Sequence, residues 1–394
     1  MAANNWAKVY FHNDFAGILE QRPGGDYLFS YDEEFQTRQV SISTQLAISS
    51  KEHLSKNSLH SFFDNLIAEG RLAKIQAKSI GAKEADRFKL LIAFGADLIG
   101  AVTIVDPNPN YQIKIDMEDY FQRLSLGSKA SISGVQPKLL AVKKGNQFYP
   151  AHYPEASTHI AKLPGEFPLI IENEFLTMKA TELLLFNDKV AEVEISELEG
   201  LGQALLVKRF DRNEDGSKLH FEEFTQLLNA QSDDKYFGSY KDMADYMNAS
   251  RLCTKADTEK LLRRILACIL LGNTDAHLKN FAMFRQRDAL NFTPIYDMVF
   301  VRYYKLADEM ALDLIAKLNP AIQDLKAKHL KILVEGFGFN ERVLWNITKD
   351  FEKRLDLVYQ FIDSKTELNP DLRKQFKEHI EKRWKGLFKN IGQN

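Results

Sequence analysis

The stretch from Leu270 to Phe284, LLGNTDAHLKNFAMF, constrains the fold more than any other part of the chain. Upstream of it, Leu261, Leu262, Ile265, Leu266, Ile269 and Leu270 recur at helical spacing and predict a helix with one broad buried face. Downstream, an apolar strand leaves through Phe281 to Phe284. Asp275, His277, Lys279 and Asn280 therefore sit on a short polar loop anchored at both ends, the setting in which function concentrates.

Asp275 and Asn280 are spaced as D-x-x-x-x-N, the spacing of a protein-kinase catalytic loop, and Tyr296-Asp297 follows. In such a loop the first Asp accepts the proton of an attacking hydroxyl. The Asn and the later Asp hold Mg²⁺ through oxygen, the donor a hard cation prefers. The same letters also serve an Asx-rich turn, in which Asn273, Thr274 and Asp275 bond only their own backbone.

At 394 residues the chain is long enough for two or three structural units, and 45% hydrophobic content supplies ample core. A net charge of −2 gives no overall pull toward phosphate backbones, which disfavours direct DNA binding by the bulk surface. No apolar run approaches the roughly 20 residues of a membrane span, and MAANNWAK lacks the apolar core of a signal peptide. The expectation is a cytoplasmic protein without membrane association. Cys253 and Cys268 form no C-x-x-C and read as packing residues.

Near the start, AKVYFH, FAGILEQ and DYLFSY predict a small antiparallel meander, turned at Asn13-Asp14 and at Arg22-Pro23-Gly24-Gly25-Asp26. Helical periodicity then covers about Ser58 to Gly81 and FKLLIAFGADL, followed by the strand AVTIV. The breaker cluster Asp106 to Asn110 ends the first unit. After a polar helical stretch at Met117 to Leu126 comes a Ser/Gly-rich loop, SLGSKASISGVQPK, entering the strand KLLAV. Ser131, Ser133 and Gly134 permit close approach to a phosphate and Lys138 adds a cation, although Pro137 lacks an N–H to donate. Taken alone, those letters fit a flexible hairpin connection better than a phosphate motif.

Lys162 ends the strand in THIAKLP, as a lysine reaching α- and β-phosphates would, and as a solvated strand-end lysine would. The next helix, about Ile171 to Phe186, carries Glu172 and Glu174 in its first turn, and Glu174 is the preferred partner for Lys162. ALLVKRFDR is a strand whose end, Lys208 to Phe210, falls where a kinase hinge meets adenine; an edge strand explains it too. FEEFTQLL and Asp257 to Leu271 have helical period. Beyond Asp297 the chain reads as helices at Ile322 to Gly336, Glu341 to Asp363 and Pro370 to Lys389.

In order and spacing, SISGVQPK, HIAK, VKRFDR, GNTDAHLKNF and PIYD resemble the HipA family of bacterial toxin–antitoxin kinases. GGDYLFSYDEEF, FFDNLIAEGRL and GADLIGAVT resemble its N-terminal subdomain. The resemblance implies an α+β chain: a protein-kinase-like two-lobed core with a largely helical C-terminal lobe, preceded by a small α+β N-terminal subdomain. The corresponding units are 1–106, 107–212 with the phosphate loop, and 213–394 with the catalytic loop and metal site.

It further implies ATP and Mg²⁺ as cofactors, Asp275 as the catalytic base, and Asn280 and Asp297 as metal ligands. Lys162 matches the ATP-anchoring lysine, and Ser133, Gly134, Val135, Gln136, Pro137 and Lys138 the phosphate-covering loop. Lys208, Arg209 and Phe210 match adenine-side contacts. His277, Leu278, Lys279 and Tyr296 complete the nucleotide site, with His277 facing phosphate rather than zinc. Ser131 matches an autophosphorylated serine, and Ser133 offers a second hydroxyl. The implied partners are a HipB-like helix-turn-helix antitoxin, through which DNA is reached indirectly, and an aminoacyl-tRNA synthetase as substrate. A kinase-like corepressor subunit and a small-molecule kinase are the alternatives, the first disfavoured because a scaffold needs neither a base nor two metal ligands.

Overall fold

The computed structural model describes residues 5–109, 136–152 and 155–391. The helix expected over 117–126, and Ser131, Ser133, Gly134 and Val135, lie outside them.

Strands β1 (Trp6–Phe11), β2 (Asp14–Gln21) and β3 (Tyr27–Tyr31) form the expected meander. His12 and Asn13 make its first turn in the left-handed region, at φ 49° and 70°. Strands β4 (Glu52–Ser55) and β5 (Val102–Val105) complete an antiparallel sheet ordered β4-β3-β2-β1-β5. The short helices α1 (Glu33–Gln36) and α2 (Ser61–Asp64), with α3 (Gly70–Ser79) and α4 (Arg87–Ala93), cover it, and Phe29, Phe62 and Phe63 lie in its core.

The single helix expected over Ser58 to Gly81 is thus two. Extended backbone at Glu69 and φ 58° at Gly70 break the helical path between them. FKLLIAFGADL is also interrupted, α4 giving way to a 3₁₀ turn at Gly95–Asp97. Gly95 lies so close to β5 that an added Cβ would stand 2.4 Å from the Ile104 carbonyl oxygen.

Strands β6 (Lys138–Lys144), β7 (Gln147–Pro150), β8 (His159–Lys162), β9 (Val193–Leu198) and β10 (Gly202–Lys208) close into a small barrel in the order β10-β8-β6-β7-β9. Being paired on both flanks, β10 is not an edge strand. Helix α5 (Ile170–Leu184) packs under the barrel and shares the largest core with the C-terminal helices.

In that C-terminal part, FEEFTQLL is strand β11 (Phe221–Glu223) followed by the short helix α6 (Phe224–Leu227), not one helix, because Phe221 to Glu223 pair with Ala282 to Phe284. Helices α7 (Tyr240–Ala249) and α8 (Lys255–Leu271) follow, each started by a capping box, Ser239 with Asp242 and Thr254 with Asp257. Strands β12 (Ala282–Arg285) and β13 (Leu290–Phe292) finish the sheet begun by β11. Residues 298–326 are irregular with 3₁₀ turns, so the helix expected from Ile322 begins only at α9 (Ala327–Gly336). Helices α10 (Glu341–Ser364) and α11 (Pro370–Arg383) stand where periodicity put them.

Candidate active site

The site lies where the barrel, α5 and the loop after α8 meet. Helix α8 is buried along Leu261 to Leu271 and ends at Gly272, whose φ of 78° is a left-handed C-cap. The Gly272 Cα is wedged behind the loop: a Cβ would stand 2.7 Å from His379 Nε2 and 2.9 Å from Phe300 Cδ2. From there the chain crosses to a 3₁₀ turn at Leu278–Asn280.

Three charged side chains from three segments converge here. Lys162 Nζ, at the end of β8, lies 2.5 Å from Glu174 Oε1 on α5 and 2.5 Å from Asp297 Oδ1. Asp297 sits at φ 60°, a left-handed conformation that Asp tolerates and that turns its carboxylate into the site. Burial alone would raise the Asp297 carboxyl, but Lys162 and Lys138 outweigh it and hold the group below the usual carboxylate range. Glu174, fully buried, is pushed up to about 7 by desolvation, which Lys162 only partly offsets and Asp297 reinforces. One ammonium thus serves two carboxylates, and the deeper one carries the cost.

Lys138 and Lys162 are directly opposed across β6 and β8. Like charges in that register repel, and here both act on Asp297. Beside Lys138, Gln136 Nε2 is buried without a hydrogen-bond acceptor. Two ammoniums and an orphaned amide donor fit a polyanionic group such as a nucleotide's phosphates.

Asn280 Nδ2 lies 2.8 Å from Asp297 Oδ2, and Asn280 Oδ1 accepts from the His277 N–H at 2.9 Å. The Asn280 amide and the Asp297 carboxylate form an oxygen-bearing pair of the type that Mg²⁺ or Ca²⁺ takes. Among the described residues no three His, Cys, Asp or Glu side chains gather as a metal site. A divalent cation at this pair would need further oxygens from its ligand.

Asp275 is half-buried and accepts from the Tyr236 hydroxyl at 3.0 Å. The Tyr236 ring meets His277 edge-on at 5.0 Å. His277 is only 2% exposed, and burial, then Lys235, pushes its imidazole down to about 3, so it is neutral at physiological pH. Below the loop, the Tyr240 hydroxyl donates to the Ala276 carbonyl at 2.8 Å, and the Leu278 N–H to the Lys235 carbonyl at 3.1 Å.

The remaining expected residues divide. Tyr296, next to Asp297 in the chain, donates its hydroxyl to the Lys279 carbonyl at 2.7 Å and packs on Phe210 at 5.5 Å between ring centroids. The Lys208 amine is exposed and pairs with Glu192 at 3.2 Å. The Arg209 guanidinium is consumed by Asp211, Asp97, Ser157 and the Leu98 carbonyl, so its side chain ties the barrel to the N-terminal subdomain. The Lys279 amine also turns from the cleft, lying 2.7 Å from Glu69 and 3.1 Å from Glu223. Pro137 continues the barrel edge, its carbonyl accepting from the Leu163 N–H at 2.8 Å.

Tyr236, Lys235 and Glu69 were not foreseen. Tyr236 lies in DDKYFG, which carries no periodicity, and the three are brought to the loop only by the fold.

This arrangement, a strand lysine paired to a helix glutamate and facing a loop with D-x-x-x-x-N, defines a kinase-like α+β scaffold. Family models match twice: the HipA N-terminal domain over residues 7–105 and the HipA-like C-terminal domain over 130–357. The chain belongs to the HipA family. It is 30% identical over 325 residues to the serine/threonine-protein kinase toxin HipA of Shewanella oneidensis, covering 74% of each chain. It is 28% identical over 318 residues, 76% of each, to a putative kinase, Y4dM, of Sinorhizobium fredii. The solved complex of Shewanella oneidensis HipA with HipB and operator DNA matches in fold with a TM-score of 0.83 at 23% identity, over 98% of this chain and 99% of that one.

Proposed function

We propose that this chain is an ATP- and Mg²⁺-dependent serine/threonine protein kinase, and that it acts as the toxin of a toxin–antitoxin pair. The observation that carries the reading is Lys162 held at 2.5 Å from both Glu174 and Asp297, with Asn280 joined to the same Asp. The naming of the Shewanella relative as a kinase toxin supports it.

In this reading Lys138, Lys162 and the Gln136 amide bind phosphate oxygens, and Phe210 and Tyr296 line the base side. Asn280 and Asp297 would hold Mg²⁺, which supplies charge neutralisation at the transferring phosphoryl. Asp275 orients the acceptor hydroxyl and takes its proton as the hydroxyl oxygen bonds to the γ-phosphorus. The bond from phosphorus to the β–γ bridging oxygen breaks and ADP leaves. Catalysis is mostly positioning and electrostatics.

The proposed substrate is an aminoacyl-tRNA synthetase, and the proposed self-modification sites are Ser131 and Ser133. A phosphate there adds about −1.5 to −2 charges beside the nucleotide's own, which would expel the loop and switch the enzyme off. The proposed partner is a HipB-like antitoxin that carries the chain to DNA, and the compartment is the cytoplasm. Among the described residues no helix is long and apolar enough to cross a membrane. The proposed functional units are 1–106, 107–212 and 213–394.

Radiolabelled MgATP offered to purified synthetases and to a metabolite panel tests the substrate class. Label on a synthetase is expected, and label on a metabolite alone would make this a small-molecule kinase. Mass spectrometry after incubation with MgATP reads the serines.

A further inference from the structure

On the far side of Gly272 from the nucleotide cleft lies a group of cations that, among the described residues, outnumbers its one paired acid, Asp308. Arg383, at the end of α11, is 7% exposed, and its Nε and one terminal nitrogen, Nη2, are buried with no hydrogen-bond acceptor. His379 is one helical turn earlier on the same face, its Nε2 also buried without a partner. Arg302, from the 3₁₀ turn Val301–Tyr304 that packs on α11, stands beside both and is itself held by Asp308 at 2.6 Å. Among the described residues no carboxylate acts on Arg383; burial and Arg302 both work against its charge and push it down to about 10. Burial and the neighbouring Arg383, Arg302 and Lys382 push His379 down to about 3.

A buried guanidinium with unmet donors is costly. A planar fork with free N–H groups matches an oxyanion bidentately. Against Asp308 stand Arg302, Lys382 and Arg383, an excess suited to a dianion rather than a monocarboxylate. Because Arg383 is so little exposed, the ligand must be small enough to enter; a phosphate strung on a nucleic-acid backbone is not.

We propose that Arg383, with Arg302 and His379, forms a binding site for a small phosphate oxyanion, separate from the nucleotide cleft. The site backs onto the anchor of the catalytic loop: the Arg302 N–H bonds the Gly272 carbonyl at 3.3 Å, and His379 packs on Phe300 at 5.0 Å between ring centroids.

Calorimetric titration and thermal unfolding of the full chain with inorganic phosphate, against chloride at constant ionic strength, test this. Saturable binding and a rise in Tm are expected, and both should persist in Lys162→Met, in which the cleft loses a phosphate-binding cation. Arg383→Met should abolish both and should be no less stable than the native chain without phosphate, because it removes an uncompensated buried charge. Should Arg383→Met fail to fold, Arg383→Lys keeps a cation but loses the fork, and at least about tenfold weaker binding is expected. O-phosphoserine distinguishes the source: binding like phosphate assigns the site to phosphomonoesters, and binding of phosphate alone assigns it to the free ion. No saturable response in the native chain, or an equal response in the Arg383 variants, overturns the proposal.

Discussion

Glu69, from the N-terminal subdomain, reaches Lys279 on the loop after α8, with Oε1 2.7 Å from Nζ, while its other oxygen holds Lys235 at 2.7 Å. The loop that carries Asp275 and Asn280 is therefore braced by a subdomain remote in sequence. Glu69→Gln should lower stability by about 2–3 kcal/mol, since two largely buried ammoniums lose a counter-charge. Burial would raise the Glu69 carboxyl, but Lys279 and Lys235 outweigh it and hold it below the carboxylate range. A depressed acid stabilises above its unfolded value, about 4.3, and the contribution is lost as pH falls through the folded value. Urea unfolding between pH 7 and pH 3 should show a steeper acid loss in the native chain than in Glu69→Gln; parallel curves would count against the brace.

Glu174 behaves in the opposite sense. Its folded value of about 7 lies above its unfolded value, so the folded state binds the extra proton in between. Its contribution is full below about pH 4.3 and disappears as pH rises through about 7. Without nucleotide, stability should therefore decline from pH 5 to pH 8, and Glu174→Gln should flatten that slope. Thermal unfolding across the range reads it directly, and an unchanged slope would remove Glu174 as its source.

The hydrogen bond from Tyr236 to Asp275 gives a kinetic prediction. A hydroxyl donating to a carboxylate fixes its orientation, so Tyr236→Phe should leave Asp275 poorly aimed at the acceptor hydroxyl and lower kcat by about tenfold. Nucleotide affinity should change little. An unchanged kcat would make Tyr236 a packing residue only.

Gly272 is required both by its φ of 78° and by the His379 and Phe300 contacts at its back. Gly272→Ala should cost about 1–3 kcal/mol in stability. Chemical denaturation of the purified variant measures this, and native stability would mean that His379 yields freely.

What was legible in the sequence was what lies contiguous in it. The apolar run into Gly272, the D-x-x-x-x-N loop and the strand ending at Lys162 each declare themselves within a few residues, whereas Glu172 and Glu174 share one helical turn in the sequence and it is the fold that brings Glu174 to Lys162. The helix breaks at Glu69-Gly70 and Gly95 were not legible, since apolar periodicity continues across them and only packing against β5 or a change of backbone region interrupts it. Glu69, Lys235 and Tyr236 are illegible for a related reason: Glu69 is one polar residue within an apolar periodic segment, Lys235 and Tyr236 lie in a stretch without periodicity, and the role of each comes from through-space contact. Lys279 and Arg209 carry cations that read as ligand contacts in sequence, yet buried carboxylates claim them in the fold.

The central claim is that Asp275 is the base of a phosphoryl transfer to protein hydroxyls. Its most direct test is transfer of label from γ-labelled MgATP to serine or threonine in total cell protein, comparing the native chain with Asp275→Asn. The account predicts labelled protein with the native chain, a loss of about 10²-fold or more with Asp275→Asn, and nucleotide binding retained in both. Equal labelling by the two chains would contradict it.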